Sequence, residues 1–424
     1  MAWCRNAADC MPHLPKLPLT ARCQRGQIIL LTMILVLMIA AAGVTRYALS
    51  GASVVAEQVA NNAAQLAIIK TALIAYAVNG RNPAPAACPT TTNARPGELP
   101  CPDTDNDGIE ECLCTAAQRV GRVPWKTLGI AEPKDAAGET FWYVLSASHR
   151  PWYSTGGPAM INSDSKGSLP VWKDDMVTNL TNEAIAVIIA PGQAIGTQTR
   201  STTATASCAL TSTTIAQNLC ANNYLEGTPG GGFNWKNNGP FVMSLTTPSP
   251  STFNDQLLPV TTSDILPVIE QRVGKDVIAL LKQYKTTLSY FPWASDDWSG
   301  QSHNNARYGN VPLKQASPKD WGTNGLPSVP VYLTLNDWWR VLYYAVGDRV
   351  TQTPVTFNVF NYGGGGNTSA IVITPGPAGA SRPSTNWSDY VDDATNRDGD
   401  DTFAAPASSA YTKDHLFSIP YPYP

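Results

Sequence analysis

The densest set of ligand-type side chains lies in "LPCPDTDNDGIEECLC" (99–114). Asp103, Asp105 and Asp107 alternate, Gly108 allows a sharp turn, and Glu110 and Glu111 follow. The order D-x-D-x-D-G opens an EF-hand-type loop, in which oxygens at alternating positions wrap a hard cation such as Ca2+. Counted from Asp103, the twelfth position is Cys114 rather than a bidentate Glu, so Glu110 or Glu111 has to substitute. Five carboxylates within nine residues repel one another strongly without a cation. Bound calcium is therefore the expectation, against a solvated acidic turn held by disulfides alone.

Cysteines frame that loop, Cys88 and Cys101 before it and Cys112 and Cys114 after it. With Cys208 and Cys220 they make six cysteines beyond residue 80, an even number that suits an oxidising compartment and up to three disulfides. Cys112 and Cys114 are too close to pair with each other or to form a zinc knuckle, and Cys208 with Cys220 is the natural third pair. Clamping the loop by either remaining pairing lowers its ordering cost.

No catalytic constellation accompanies it. The four histidines (His13, His149, His303, His415) sit near no nucleophile motif, and G-x-S-x-G, H-E-x-x-H, G-x-G-x-x-G and the P-loop are absent. Ser163-x-x-Lys166 lacks the S-D-N and K-T-G companions that would make it meaningful. The expectation is no enzyme. A net charge of −3 offers no basic field for nucleic acid. Tryptophans in "PWASDDWSG" (292–300) and "NDWWR" (336–340) suit packing first and a glycan or partner surface second.

The elements that must carry the loop begin at the N-terminus. Residues 1–26 hold Arg5, Lys16, Arg22 and Arg25 against Asp9, and from Ile28 to Val44 no charge occurs. At 1.5 Å per residue that run reaches about 27 Å, enough to span a bilayer core with the N-terminus cytoplasmic. Val55, Val59, Ala63, Leu66, Ile69, Leu73 and Tyr76 then recur at helical spacing until the breakers at 79–83. One helix from Gln27 to Val78, about 78 Å long, accommodates both patterns. A cleaved signal with an Ala40-Ala41-Ala42 exit, or a plain anchor, are the competing readings.

Downstream the chain repeats itself. "GRVPWK" (121–126) matches "GNVPLK" (309–314), "FWYVLS" (141–146) matches "WWRVLYYAV" (338–346), and "AVIIAPGQA" (186–194) matches "AIVITPGPA" (370–378). "NYLEG" (223–227) is echoed by "DYVDD" (389–393), and "NDQLLPV" (254–260) by "KDHLFSI" (413–419), in the same order. "SDILPVIEQRVGKDVIALLKQY" (263–284) reads as the helix opening the second unit, with Ser263 as cap and Ile265, Ile269, Val273, Val277, Leu280 and Tyr284 on one face. The Asp/Cys-rich loop counts as excess belonging to the first unit alone.

Basic residues, Gly26, an apolar segment and an amphipathic continuation together resemble a type IV pilin or type II secretion pseudopilin. "ALIAYAVNG", "GELPCPDTDNDG", "GRVPWKTLG" and "FWYVLS" are similar to a pattern in large pilin-like proteins of Gram-negative bacteria. The resemblance covers residues 22 to about 150. It implies cleavage by prepilin peptidase between Gly26 and Gln27, methylation of the new N-terminus, and entry of the helix into a filament. Gln27 stands where the family has Phe, and Leu31 where it has the Glu that docks the neighbouring subunit. That departure resembles minor or tip subunits. The implied fold class is α+β, a long N-terminal pilin-like helix followed by two repeated helix-plus-antiparallel-sheet units. The implied divisions are a cytoplasmic leader 1–26, a membrane-spanning then amphipathic helix 27–80, and head units 81–262 and 263–424. Expected partners are other pilin-like subunits, prepilin peptidase and the inner membrane, with a periplasmic head before assembly and a periplasmic or extracellular filament after it. The alternative is a membrane-anchored or secreted, calcium-stabilised surface-binding protein.

Overall fold

A computed structural model describes residues 24–79, 95–115, 118–151, 160–208, 214–228, 231–243, 252–314, 320–347, 357–360, 366–378, 381–399, 401–404 and 414–420. Of the first helix, side chains are described at 37–38 and from 54 onward. The chain divides into two compact units, 1–60 and 61–424.

The first half of the larger unit supplies the end of α1 (Gln24–Asn79), then β1 (Val120–Arg122), β2 (Trp142–Leu145), β3 (Leu169–Lys173) and β4 (Asn179–Ala190). A small hairpin, β5 (Thr205–Ser207) with β6 (Thr214–Ala216), precedes β7 (Phe241–Met243) and β8 (Gln256–Thr261). The second half supplies α2 (Thr262–Leu288), β9 (Tyr308–Asn310), α3 (Val331–Leu335), α4 (Trp338–Val341) and β10 (Tyr343–Val346). It ends with β11 (Phe357–Phe360), β12 (Gly366–Thr374), α5 (Ala394–Arg397), β13 (Thr402–Ala404) and β14 (His415–Pro420).

The first sheet runs β1-β2-β4-β3-β7 with β8 beside β4, and the second runs β9-β10-β12-β11-β13 with β14 beside β12. Strand for strand this is one topology used twice. The "AVII" and "AIVI" runs lie in the central strands β4 and β12, and Ile185–Ala190 and Ala370–Ile373 are buried. Continuous burial follows from apolar packing on both faces of each sheet. One face of each contributes to a single core with Leu66, Ile69 and Leu73 of α1 and Ile265, Ile269, Val273 and Val277 of α2. The opposite faces carry separate clusters, around Trp142, Val187 and Phe241 in one sheet and Tyr343, Ile371 and Phe403 in the other.

Helix α2 has the expected buried face, Ile265 through Tyr284. Its cap is Thr261 rather than Ser263. The Asp264 carboxylate accepts from the Thr261 N–H at 2.7 Å and hydroxyl at 2.8 Å, which satisfies groups at the open helix end.

The expected α+β architecture is corrected. The protein is mixed α/β and mostly sheet, and three of its five described helices are turns of four or five residues. Nor are the sheets purely antiparallel: β7 runs parallel to β3, and β13 parallel to β11. Strands as short as "FVM" and "TFA" have too few residues to show a period, so their direction leaves no trace in the sequence. The long N-terminal helix is likewise not the organising element. The part described with its side chains is a short stretch, 54–79, and the apolar run before it lies almost wholly outside those side chains. Among the described residues no helix is long and apolar enough to cross a membrane.

The repeat extends to single hydrogen bonds. Asn234 exchanges bonds with the Val242 backbone (Oδ1 from N at 2.7 Å, Nδ2 to O at 3.3 Å) and donates to Asp255 Oδ2 at 2.9 Å. Asn396 does the same with Ala404 (2.7 and 3.1 Å) and donates to Asp414 Oδ2 at 3.1 Å. Each Asp immediately precedes the strand that flanks the central one, β8 or β14. An Asn–Asp clamp thus fastens the parallel edge strand to the start of that strand in both halves.

Candidate functional site: two equivalent acidic loops

The 103–111 loop is fixed from several sides before any ligand is considered. The Gly97 N–H donates to the Ala77 carbonyl at the end of α1, 2.8 Å away, and Leu99 N–H to His149 O at 3.0 Å. Asp103 and Arg122 exchange backbone hydrogen bonds at 3.0 and 2.5 Å, which docks the loop on β1. A disulfide joins Cys101 to Cys114, closing the loop at its base. Cys112 is also disulfide-bonded, Cys208 pairs with Cys220, and Cys88 lies outside the described residues.

Within the loop the five acids divide. Asp103 is 1% exposed, and its oxygens accept from Asn106 N–H at 2.6 Å and Gly108 N–H at 2.8 Å. Burial, added to the charges of Asp107 and Asp105, raises its pKa to about 6 against the pull of those two N–H groups. Asp103, Asp105 and Glu111 each present an oxygen within 4.8 Å of the others. Glu111 also accepts from the Thr104 N–H at 3.1 Å.

Glu110 turns the other way. It is buried, accepting from the Tyr76 hydroxyl at 3.1 Å and the Cys101 N–H at 3.2 Å, and so ties α1 to the disulfide. Asp107 accepts from the Ile109 N–H at 2.7 Å and stands outside the group. Three of the five expected ligands therefore converge. Hard carboxylate oxygens suit Ca2+ in kind, but three fall short of the six to eight it takes, so water would complete the shell.

The second half holds a counterpart that the sequence reading passed over. "LPCPDTDNDG" (99–108) superposes in role on "FPWASDDWSG" (291–300), and the structural correspondences are specific. The Tyr143 hydroxyl donates to Pro100 O at 3.2 Å, and Tyr344 to Pro292 O at 3.0 Å. Ser295 exchanges backbone bonds with Asn310 as Asp103 does with Arg122. Gly300 N–H donates to Ser295 Oγ at 3.1 Å, where Gly108 donates to Asp103. Asn106 and Trp298 share a left-handed backbone, φ 66° and 60°, as do Gly108 and Gly300 at 86° and 74°. The loop is thus common property. The first half's excess lies instead between the end of α1 at Asn79 and Leu99, a stretch that α2, ending at Leu288, crosses in three residues to Phe291.

This second loop gathers Asp296, Asp297 and His303. His303 faces both carboxylates, Nδ1 at 2.5 Å from Asp296 Oδ1 and Nε2 at 3.5 Å from Asp297 Oδ2. Hydrogen bonds from Ser299, and then the nearby His303, hold the Asp297 pKa below its usual value. The signal in the sequence was the shared proline and the Gly eight residues after it, masked by Cys-to-Trp and Asp-to-Ser replacements. Of the tryptophans flagged as surface candidates, Trp293, Trp338 and Trp339 are buried and Trp298 packs on Tyr390 with ring centroids 5.8 Å apart.

Among the remaining expectations, Gly26, Gln27 and Leu31 fall in the helical backbone of α1, their side chains outside the described residues. Ser163 donates to the buried Glu270 at 2.5 Å, and Lys166 pairs with Glu183 at 2.9 Å, so both members of that S-x-x-K are engaged in packing and surface pairing. No protein-family model, no curated protein and no solved structure matches this chain.

Proposed function

We propose that the chain is a structural, non-catalytic subunit of a type IV pilus or type II secretion pseudopilus-like filament, of the minor or tip kind. The observation that carries the reading is the run from Arg22 through Gly26 into the uncharged Ile28–Val44 segment and on, without a breaker, to residue 79. A cleaved secretory signal ordinarily ends in a break, and here the helical pattern continues until Leu66, Ile69, Leu73 and Ala77 are buried in the folded unit. On this reading the chain is held in the inner membrane with its head in the periplasm. Prepilin peptidase cuts after Gly26, and the helix then joins other pilin-like subunits. Leu31 in place of an acid removes a buried charge that only a neighbouring subunit could pair.

The test is mass spectrometry of the mature N-terminus in cells with and without prepilin peptidase. A peptidase-dependent, methylated peptide beginning at Gln27 is the expected result. A start at Gly43, or an uncut leader, would sink the filament reading. Calcium is proposed for Asp103, Asp105 and Glu111. Saturating calcium at a hundred times its Kd would stabilise by about 2.7 kcal/mol, so a chelator should lower the melting temperature. Asp105→Asn should abolish that response, and an unchanged melting curve in wild type would remove the metal.

A further inference from the structure

The two Asn–Asp clamps differ in one respect. In the clamp of the second half Asp414 is buried without a second buried acid at the place of Asp392: it accepts from the Asp392 and Asp393 N–H groups at 2.8 and 3.1 Å, while Asp392 is exposed. In the first half the residue at the place of Asp392 is Glu226, and it is buried beside Asp255. Asp255 Oδ2 accepts from the Glu226 N–H at 2.9 Å, and Glu226 Oε2 accepts from the Asp255 and Asn254 N–H groups at 3.0 and 3.1 Å. Gln198 donates to Glu226 Oε1 at 2.7 Å. Asp255 is wholly buried, and its Oδ1 has no hydrogen-bond donor among the described residues.

Among the described residues no ion pair joins a cation to either acid. Of the charged groups on the surrounding segments, Arg122 and Arg200 lie on the ring of Tyr224, and Arg200 pairs with Glu139 at 2.9 Å. Gln198, Asn234 and Asn254 are neutral. Two buried carboxyls in contact cannot both ionise cheaply. A proton shared between the interacting side chains relieves that repulsion, and the partnerless Oδ1 leaves Asp255 an oxygen able to carry it.

We propose that Glu226 and Asp255 hold one proton between them, making the seam where β8 leaves the first half a latch that alkali loosens. Burial and the neighbouring Glu226 push the Asp255 pKa well above the carboxylate range, whereas Asp414 is raised only to about 6. A raised folded pKa gives stability that is full below the ordinary carboxyl range and is lost as pH climbs toward the folded value. Above pH 7 the Asp414 contribution is already spent, so a further loss of stability with rising pH reports on the pair.

Urea unfolding of the full-length chain in mild detergent across pH 7 to 9 tests this. The folding constant of wild type should fall on the order of tenfold per pH unit while the folded state holds one extra proton. Glu226→Gln should flatten that slope, and Asp414→Asn should leave it intact. A flat wild-type profile, or an unchanged slope in Glu226→Gln, overturns the proposal. Should Glu226→Gln fail to fold, infrared spectroscopy of wild type at pH 8 decides: a protonated carboxyl band supports the shared proton, and its absence ends the idea.

Discussion

The loops at 103–111 and 295–303 occupy one place in a repeated fold and solve its demands differently. Both dock by a two-way backbone bridge, to Arg122 and to Asn310, and both turn through a left-handed pair. The first loop is braced covalently by Cys101–Cys114 and carries a buried carboxylate, Asp103, at the turn. In the second, Trp293 stands at the Cys101 position and is buried in the shared core, and Ser295 replaces Asp103. Duplicated backbone is therefore compatible with exchange of a disulfide for apolar packing and of a charge for a hydroxyl. The shared part is the hydrogen-bond scaffold, and the ligand-type side chains are what vary on it.

The disulfide is the largest difference to break. Cys101→Ser with Cys114→Ser should cost about 3 kcal/mol in urea unfolding, since the bridge closes a short loop in the unfolded chain and buries both sulfurs in the native one. Hydrogen exchange should show amides of 103–111 deprotected and those of 295–303 unchanged. Equal deprotection in both loops would mean that the halves do not brace their loops independently.

The next test probes what is common. Gly121 and Gly309 lie so close to the loop backbone that a Cβ at either would overlap the carbonyl oxygen of Asp103 or Ser295. Gly121→Ala and Gly309→Ala should each cost about 2 kcal/mol, because backbone cannot yield as a flexible side chain can. The comparison sharpens if the costs match. A near-neutral Gly309→Ala would show that the second loop is free to shift and that its resemblance to the first is only approximate.

How much of this was legible beforehand depended on length and chemistry. Central strands of nine and twelve residues, with runs such as "AVII", announced themselves, as did the 3.6-residue period of α2. The three-residue strands β7 and β13 did not, and with them went the parallel pairings. The first acidic loop was visible because alternating Asp followed by Gly is chemically conspicuous. The second was hidden because Asp296 and Asp297 are adjacent and the third member, His303, lies six residues on. Glu110 looked like a ligand by spacing alone. Only the fold reveals that Tyr76 and the Cys101 N–H claim it.

The smallest expected effect falls on Trp298. Asn106, at the corresponding turn in the first loop, is a residue that tolerates left-handed backbone, whereas a tryptophan there carries a cost of about 1 kcal/mol. The offset is its contact with Tyr390, an aromatic pair contributing roughly 0.5–1.5 kcal/mol beyond burial. Tyr390 in turn donates to Asp164 at 3.0 Å, so the ring links the second loop to the first half. Trp298→Asn should relieve the backbone and lose the stack, leaving stability within about 1 kcal/mol of wild type. Trp298→Phe keeps a ring without curing the backbone, and should be the less stable of the two if strain dominates. If Trp298→Phe is instead the more stable, ring contact outweighs backbone preference at this turn, and the tryptophan is held by its packing across the halves.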